Sequence, residues 1–305
     1  PTFKEITYPC QVLFAILACI FNVVLIFIVQ RSTNRDIGTY RILITYFALS
    51  DLYYTIVHFV VYPIPENYGN AFFVRGHGYY RELLGIALYF GAYGHAFPIL
   101  IFHFLYRLLA IKHPQFLRYF SFFLFALIVT TAVSNAIWFS IFYWFFHPDS
   151  ESLRILTPIF NGSIPLPVAH YIESAEQHAQ AVYWTLNTYE DPRWRNLCGA
   201  LVMGSCMATS YTIIVYCCFR INGYLKERLK SAKAMLLHHQ LFRSLMYQSF
   251  VPLLTAYLPA GTSVIMPVFG FPIISVALAG PYACATHPLF DPIVLILTIT
   301  EFRLA

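Results

Sequence analysis

Two carboxylates, Asp51 and Asp291, are the residues of this 305-residue chain that most demand a chemical explanation. Each stands in a long, otherwise uncharged and apolar run. A carboxylate there can pass a proton, bind a cation or an amine, or tie helices together by hydrogen bonds. A charge at the centre of such a helix costs a few kcal/mol, so function is the default expectation. His58 follows Asp51 by two helical turns and His287 precedes Asp291 by one, so each pair shares a helix face. Both faces are expected to point into a helix bundle. His287 and Asp291, with His58, could also ligate a metal as in an intramembrane hydrolase. A catalytic zinc site needs three converging protein ligands, however, and one helix pair does not provide them. No glycine-rich phosphate loop, paired-cysteine metal site, nucleophile–base motif or nucleic-acid motif is present, so neither an enzyme nor a cofactor nor a metal is expected.

A second set of residues lies along one helical face, from Glu82 through Gly85, Tyr89, Tyr93, Ala96 and Leu100 to His103 and Arg107. A basic end, an apolar middle and tyrosines toward the other end suggest a pocket above a contact surface. Interfacial anchoring is the alternative for the tyrosines. Prolines at 98, 252, 259, 281, 288 and 292 each remove a helix hydrogen bond. Pro252, Pro259 and Pro292 mark their helices as deformable, which suits a switch, although membrane helices tolerate proline in any case. Between Gly223 and Leu241, Leu225, Leu229, Ala232 and Leu236 recur at helical spacing against Lys226, Arg228, Lys230 and Lys233. That pattern reads as a basic amphipathic helix, for anionic lipid or for docking an intracellular partner.

The elements that must position these residues follow from composition. Apolar residues make up 59% of the chain and charged residues 11%, too few to cover a soluble domain of this size. Seven windows can cross roughly 30 Å of hydrocarbon as helix: Gln11 to Val29, Ile42 to Ile64, Leu83 to Tyr106, Tyr119 to Phe146, Leu197 to Phe219, Leu245 to Met266 and Ile273 to Ile299. Of the 19 Lys and Arg and 14 Asp and Glu residues, only Asp51 and Asp291 fall inside them. Amphipathic stripes with a charged face, as in a soluble helical protein, are missing. The expected fold is therefore an all-α membrane protein, a single seven-helix bundle over residues 1–305. The first span is not a cleaved signal, since Arg31 and Arg35 follow it. A chain that starts at Pro1 and stops at Ala305, just past the last span, is expected to be trimmed at one or both ends.

Basic residues set the orientation. The first, third and fifth loops and the C-terminal stub carry 13 of the 19 Lys and Arg residues, which places them in the cytoplasm and the N-terminus outside. Asn161-Gly-Ser163, a glycosylation sequon, then lies outside, in the long acidic fourth loop. The seven cysteines form no disulfide framework. Cys10 and Cys198 could pair, and Cys217 and Cys218 could be acylated.

These motifs resemble a G-protein-coupled receptor. Arg107-Leu-Leu-Ala-Ile-Lys-His-Pro114 is similar to the arginine motif at the inner end of the third helix in rhodopsin-like receptors. Leu49-Ser-Asp51 resembles their second-helix acidic motif, and Asn22 stands where the first helix carries its asparagine. Ala256-Tyr-Leu-Pro259 resembles the sixth-helix aromatic-x-Pro motif, with Tyr257 where Trp is usual, and Asp291-Pro292 the seventh-helix motif. Tyr106 replaces the acid before the arginine, Leu295 replaces the seventh-helix Tyr, and no cysteine can form the usual outer disulfide. With His103-Phe-Leu-Tyr-Arg107, Gln248-Ser-Phe-Val-Pro252 and His287-Pro-Leu-Phe-Asp-Pro292, the departures are similar to nematode serpentine chemoreceptors of the Str type.

The resemblance implies a receptor in the plasma membrane, and in the ciliary membrane of sensory neurons, for an odorant or other small-molecule cue. It further implies coupling to a heterotrimeric G protein. It assigns the coupling face to Arg107 and Lys112, with Arg228, Lys230 and Lys233; the pocket to Glu82, Tyr89, Tyr93, His58 and Tyr257; and the intramembrane switch to Asp51, Asp291, His287, Pro252, Pro259 and Pro292. A seven-helix channel of the insect odorant-receptor kind would place its N-terminus inside, against the charge pattern. A secondary transporter should show an internal repeat, and none is visible.

Overall fold

A computed structural model describes residues 3–32, 38–68, 71–80, 82–147, 180–184, 194–228, 232–265, 274–299 and 302. Its helices are α1 (Phe3–Arg31), α2 (Tyr40–Val61), α3 (Leu83–Gly94), α4 (Ala96–Lys112), α5 (Phe120–Ser140), α6 (Trp194–Arg228), α7 (Ala232–Pro252), α8 (Leu258–Ile265) and α9 (Ile274–Thr298). They make seven rods, because α3 runs into α4 through His95 and α7 into α8 through a π-helical turn, Leu253–Tyr257. Among the described residues, five helical stretches are long and apolar enough to cross a membrane, and Ala283–Thr298 is a shorter apolar helix. The outer surface is as apolar as the inside. Phe122, Phe125, Leu201 and Phe219 are all well exposed, Phe219 by 75%. Such a surface is at rest only in hydrocarbon, and the fold is a seven-transmembrane bundle in a multi-pass membrane protein.

Prolines interrupt the hydrogen-bond ladders of the rods, and two of the carbonyls they orphan find new donors. Pro98 has no N–H to give to the carbonyl of Gly94, and the Ser134 hydroxyl of α5 donates to that oxygen at 2.8 Å. Pro292 leaves the carbonyl of Pro288 free in the same way, and the Asn22 amide of α1 donates to it at 2.9 Å. In hydrocarbon, with no water to fill in, this substitution of partners is what permits a broken helix. The α3–α5 contact is tight enough to need glycine, since a Cβ on Gly94 would sit 2.1 Å from the Trp138 ring. Helix α2 stops at Tyr62, which adopts a left-handed conformation (φ 46°) and returns its N–H to His58.

A small antiparallel sheet closes one end of the bundle. Strands β1 (Pro63–Tyr68) and β2 (Ala71–Gly76) form a hairpin, and β3 (Gln180–Trp184), from the long fourth loop, pairs with β2 from Ala71↔Trp184 to Arg75↔Gln180. All seven cysteines are free thiols, Cys10 and Cys198 included. Backbone pairing to β2 therefore ties the fourth loop to the bundle. Two hydrophobic clusters fill the interior. One, around Leu43, Phe104, Leu245 and Leu295, lies toward Arg107. The other, around Tyr89, Tyr93, Trp138 and Tyr257, lies toward the sheet.

Candidate functional site

At the end away from the sheet, α4 presents Arg107 and α2 begins with Tyr40. Arg107 is only 3% exposed, and its guanidinium carbon lies 3.6 Å from the centroid of the Tyr40 ring. Tyr40 stacks on Tyr106 with centroids 5.2 Å apart, and its hydroxyl hydrogen-bonds His103 Nδ1 at 3.1 Å. Tyr106 shares a 2.9 Å hydrogen bond with the Thr39 hydroxyl. Nε and Nη2 of Arg107 have no hydrogen-bond partner. Aromatic faces, rather than a carboxylate, thus hold a guanidinium with donors to spare. Lys112, one turn beyond, reaches the Tyr224 ring of α6 at 5.7 Å.

In the middle of the bundle, α2 and α9 bring their acids together. Asp51, His287 and Asp291 are buried, and one ligand atom from each lies within 4.8 Å of the others. His287 Nε2 approaches Asp291 Oδ2 at 3.4 Å. One oxygen of each carboxylate, Asp51 Oδ2 and Asp291 Oδ2, lacks a hydrogen-bond partner. Asn22 lies beside Pro288, one turn from Asp291. Asn22 of α1 and Asp51 of α2 thus both meet polar groups of α9, so a shift of α9 must disturb each of these contacts. Two oxygens and one imidazole nitrogen could also hold a cation.

Toward the sheet, five tyrosines converge from four rods. The hydroxyls of Tyr54 and Tyr89 meet at 3.0 Å. Tyr93 and Tyr211 pack edge-on to Tyr257 at 5.2 Å and 6.0 Å, and Phe97 lies tilted against it at 4.4 Å. Trp138 closes the floor against Phe97 and Tyr93. His58 is buried and bonds Gln11 of α1 at 3.1 Å. A cavity of about 10 Å³, room for about one water molecule, separates this cluster from Asp51 and His287; Ser50, Tyr93, His95 and Tyr257 are among its walls. The Tyr93 hydroxyl and Trp138 Nε1 are buried without hydrogen-bond partners. The cluster offers aromatic faces and spare polar atoms, which is how pockets for largely apolar small molecules are built.

The structure brings Tyr89, Tyr93, Tyr257 and His58 together but leaves Glu82 exposed at the start of α3, away from that cluster. Pro252 and Pro259 flank the π-helical turn that carries Tyr257. Arg228 ends α6 and Lys233 lies near the start of α7, their side chains undescribed; Lys230 and Asn161 fall outside the described residues. Sequence reasoning missed Tyr40, Tyr54 and Ser134. The spacing of Tyr54, between Asp51 and His58 on one face, was a usable signal. Nothing in the linear order ties Tyr40 to Arg107.

A family model described as serpentine type 7TM GPCR chemoreceptor Str matches residues 7–305. Over 294 residues the chain is 26% identical to serpentine receptor class r-10 of Caenorhabditis elegans, covering 92% of this chain and 84% of that one. The receptor of the same name from Caenorhabditis briggsae is 25% identical over 307 residues, with 95% and 86% covered. G-protein coupled receptor str-33 of C. elegans is 23% identical over 310 residues, with 94% and 86% covered.

Proposed function

The chain belongs to the Str family of serpentine seven-transmembrane G-protein-coupled chemoreceptors, a family of receptors rather than enzymes, and on that premise we propose that it binds a small odorant-type molecule among Tyr54, Tyr89, Tyr93 and Tyr257 and activates a heterotrimeric G protein through Arg107. The observation that carries this reading is the placement of the two sites on one rod. Tyr93 and Arg107 lie on the α3–α4 rod, on either side of its Pro98 bend, with the Asp51–His287–Asp291 cluster beside it. A ligand that wedges between Tyr93 and Tyr257 must move α7–α8 or α9 against that rod. The same displacement loosens Tyr40 and frees Arg107 to donate to a partner's backbone carbonyls. Pro252, Pro259 and Pro292 supply the bends about which α7–α8 and α9 pivot.

The ligand is small, neutral or weakly basic and largely apolar, since aromatic rings dominate the cluster and Asp51 lines the small cavity beside it. In this reading the N-terminus is extracellular, the Arg107 end is cytoplasmic, and Lys112, Arg228, Lys230 and Lys233 surround the docking face. The setting is the plasma membrane of sensory neurons, at the cilium. A cell line expressing the chain, screened with volatile and water-soluble odorants under a calcium readout, tests the proposal. A response that survives Tyr93→Ala and Tyr257→Ala at equal surface density sinks the pocket assignment.

A further inference from the structure

Where α2, the α3–α4 bend and α5 meet, the bundle carries a groove of about 530 Å³, within the range of small-molecule sites. It lies outside the aromatic cluster and opens sideways past Leu49, Tyr53 and Ile128, which are 53%, 39% and 47% exposed. In a bundle surrounded by lipid, that mouth faces hydrocarbon. Ala132 and Ala136, one turn apart on α5, leave the space that larger side chains would fill. Tyr53 lies roughly 20 Å along α2 from Tyr40 and about 12 Å from Val61 at 1.5 Å per residue, well below any headgroup layer.

A seam of methyl groups at this depth would take acyl chains and imply nothing more. This one carries polar side chains on α2 at helical spacing, Tyr46, Ser50 and Tyr53. The Tyr46 hydroxyl is paired with that of Thr131 at 2.7 Å, and Ser50 is paired with His95. The third position is left open. Asn135 Nδ2 donates to the Tyr53 hydroxyl over a long 3.3 Å, and among the described residues that hydroxyl has no acceptor for its own proton. A donor turned toward hydrocarbon without a partner costs on the order of 1–3 kcal/mol, and interfacial anchoring cannot explain a tyrosine this deep. No charged residue lines the groove.

We propose that this groove binds a neutral molecule dissolved in the bilayer, with an apolar body and one oxygen acceptor (a ketone, ester or alcohol), which the Tyr53 hydroxyl receives. Two sources share that chemistry, a membrane sterol and an odorant partitioned into the lipid. The groove also touches the interior, because Ser50 and His95 line both it and the small cavity beside Asp51 and Tyr93. An occupant therefore presses on the wall of the aromatic cluster from the lipid side.

The test uses the purified chain in phosphatidylcholine nanodiscs and two photoactivatable diazirine probes, a cholesterol analogue and an alkyl ketone, with crosslinks mapped by mass spectrometry. Crosslinks concentrated on Leu49, Tyr53, Ile128 and Ala136 are expected from at least one probe, with competition by unlabelled sterol or ketone identifying the source. Tyr53→Phe keeps the shape and should lower labelling roughly fivefold, as the loss of one hydrogen bond requires. Ala132→Leu, which fills the groove, should abolish it, and melting in the same nanodiscs confirms that both variants fold. Labelling spread evenly over outward residues such as Phe122 and Phe125, or unchanged in both folded variants, overturns the inference. Neither result depends on signalling, so failure here leaves the receptor reading intact, and a silent receptor leaves the groove intact.

Discussion

The Arg107 guanidinium lies over the face of the Tyr40 ring, 3.6 Å from its centroid, and is almost fully withdrawn from solvent. In the rhodopsin-like receptors whose arginine motif this one resembles, a preceding acid restrains the arginine. Here Tyr106 occupies that place, and its hydroxyl is committed to Thr39. In the proposed reading, the cation–π contact from the neighbouring rod takes over the role of that acid.

A desolvated cation–π contact contributes about 2 kcal/mol, which corresponds to roughly 30-fold in a two-state population. Tyr40→Leu, which keeps most of the volume but not the ring face, should raise ligand-independent nucleotide exchange by up to that factor. Tyr40→Phe, which keeps the ring face and loses only what the hydroxyl bonds, His103 and the guanidinium edge, should stay closer to the parent than Tyr40→Leu. Arg107→Ala should bind ligand and fail to drive exchange, and Tyr106→Asp should be harder to activate because it supplies the missing acid. Equal basal exchange in Tyr40→Leu and Tyr40→Phe would remove the ring face from the mechanism.

The donor that replaces the missing Pro98 N–H predicts a coupling between two residues on different rods. Ser134→Ala leaves the Gly94 carbonyl buried without its donor and should cost about 1–3 kcal/mol, seen as a lower melting temperature in nanodiscs. Pro98→Ala restores the backbone N–H, so Ser134→Ala on that background should cost almost nothing. Thr130→Ala, whose hydroxyl only bonds its own helix at Ala126 and Leu127, is the neutral control. Additive costs would mean that the hydroxyl does not serve the proline gap.

Gly94 gives a steric counterpart. A Cβ there meets Trp138 at 2.1 Å, whereas a Cβ on Gly204 meets nothing within 4 Å. Gly94→Ala should lose surface expression and Gly204→Ala should not, since overfilling a close helix contact costs about 1–3 kcal/mol or more. Equal expression of the two variants would mean that α3 and α5 are not in contact at this depth in the membrane.

How much of this was legible in the sequence depended on range. Apolar length and the rarity of charge gave the bundle, because bilayer thickness acts on each helix separately. The burial of Asp51, His58, His287 and Asp291 was readable from spacing on single helices. The hairpin was missed although Gly69-Asn70, between paired Tyr68 and Ala71, is a tight-turn dipeptide. Its strands are short and carry Pro63 and Pro65, which mask the pattern. Tyr40 beneath Arg107 and Ser134 beneath Gly94 were not legible at all. Each depends on the rotation of one helix against another, which the linear order does not encode.

Tyr257 sits on the π-helical turn between Pro252 and Pro259 and touches Tyr93, Phe97 and Tyr211 at once. A ring in contact with three others from two rods cannot move without disturbing each of them. If ligand enters among these rings, Tyr257→Phe should retain the stacking and respond nearly as the parent, while Tyr257→Ala should weaken the response by an amount on the order of 1 kcal/mol or more per lost aromatic contact. Tyr93→Ala should behave in the same way. The double variant should lose less than the sum of the two, because the 5.2 Å contact between them is already gone in either single change. Dose–response curves at matched surface density measure all three. Should the response per receptor be unchanged while surface density falls, these rings stabilise the fold and the ligand binds elsewhere in the bundle.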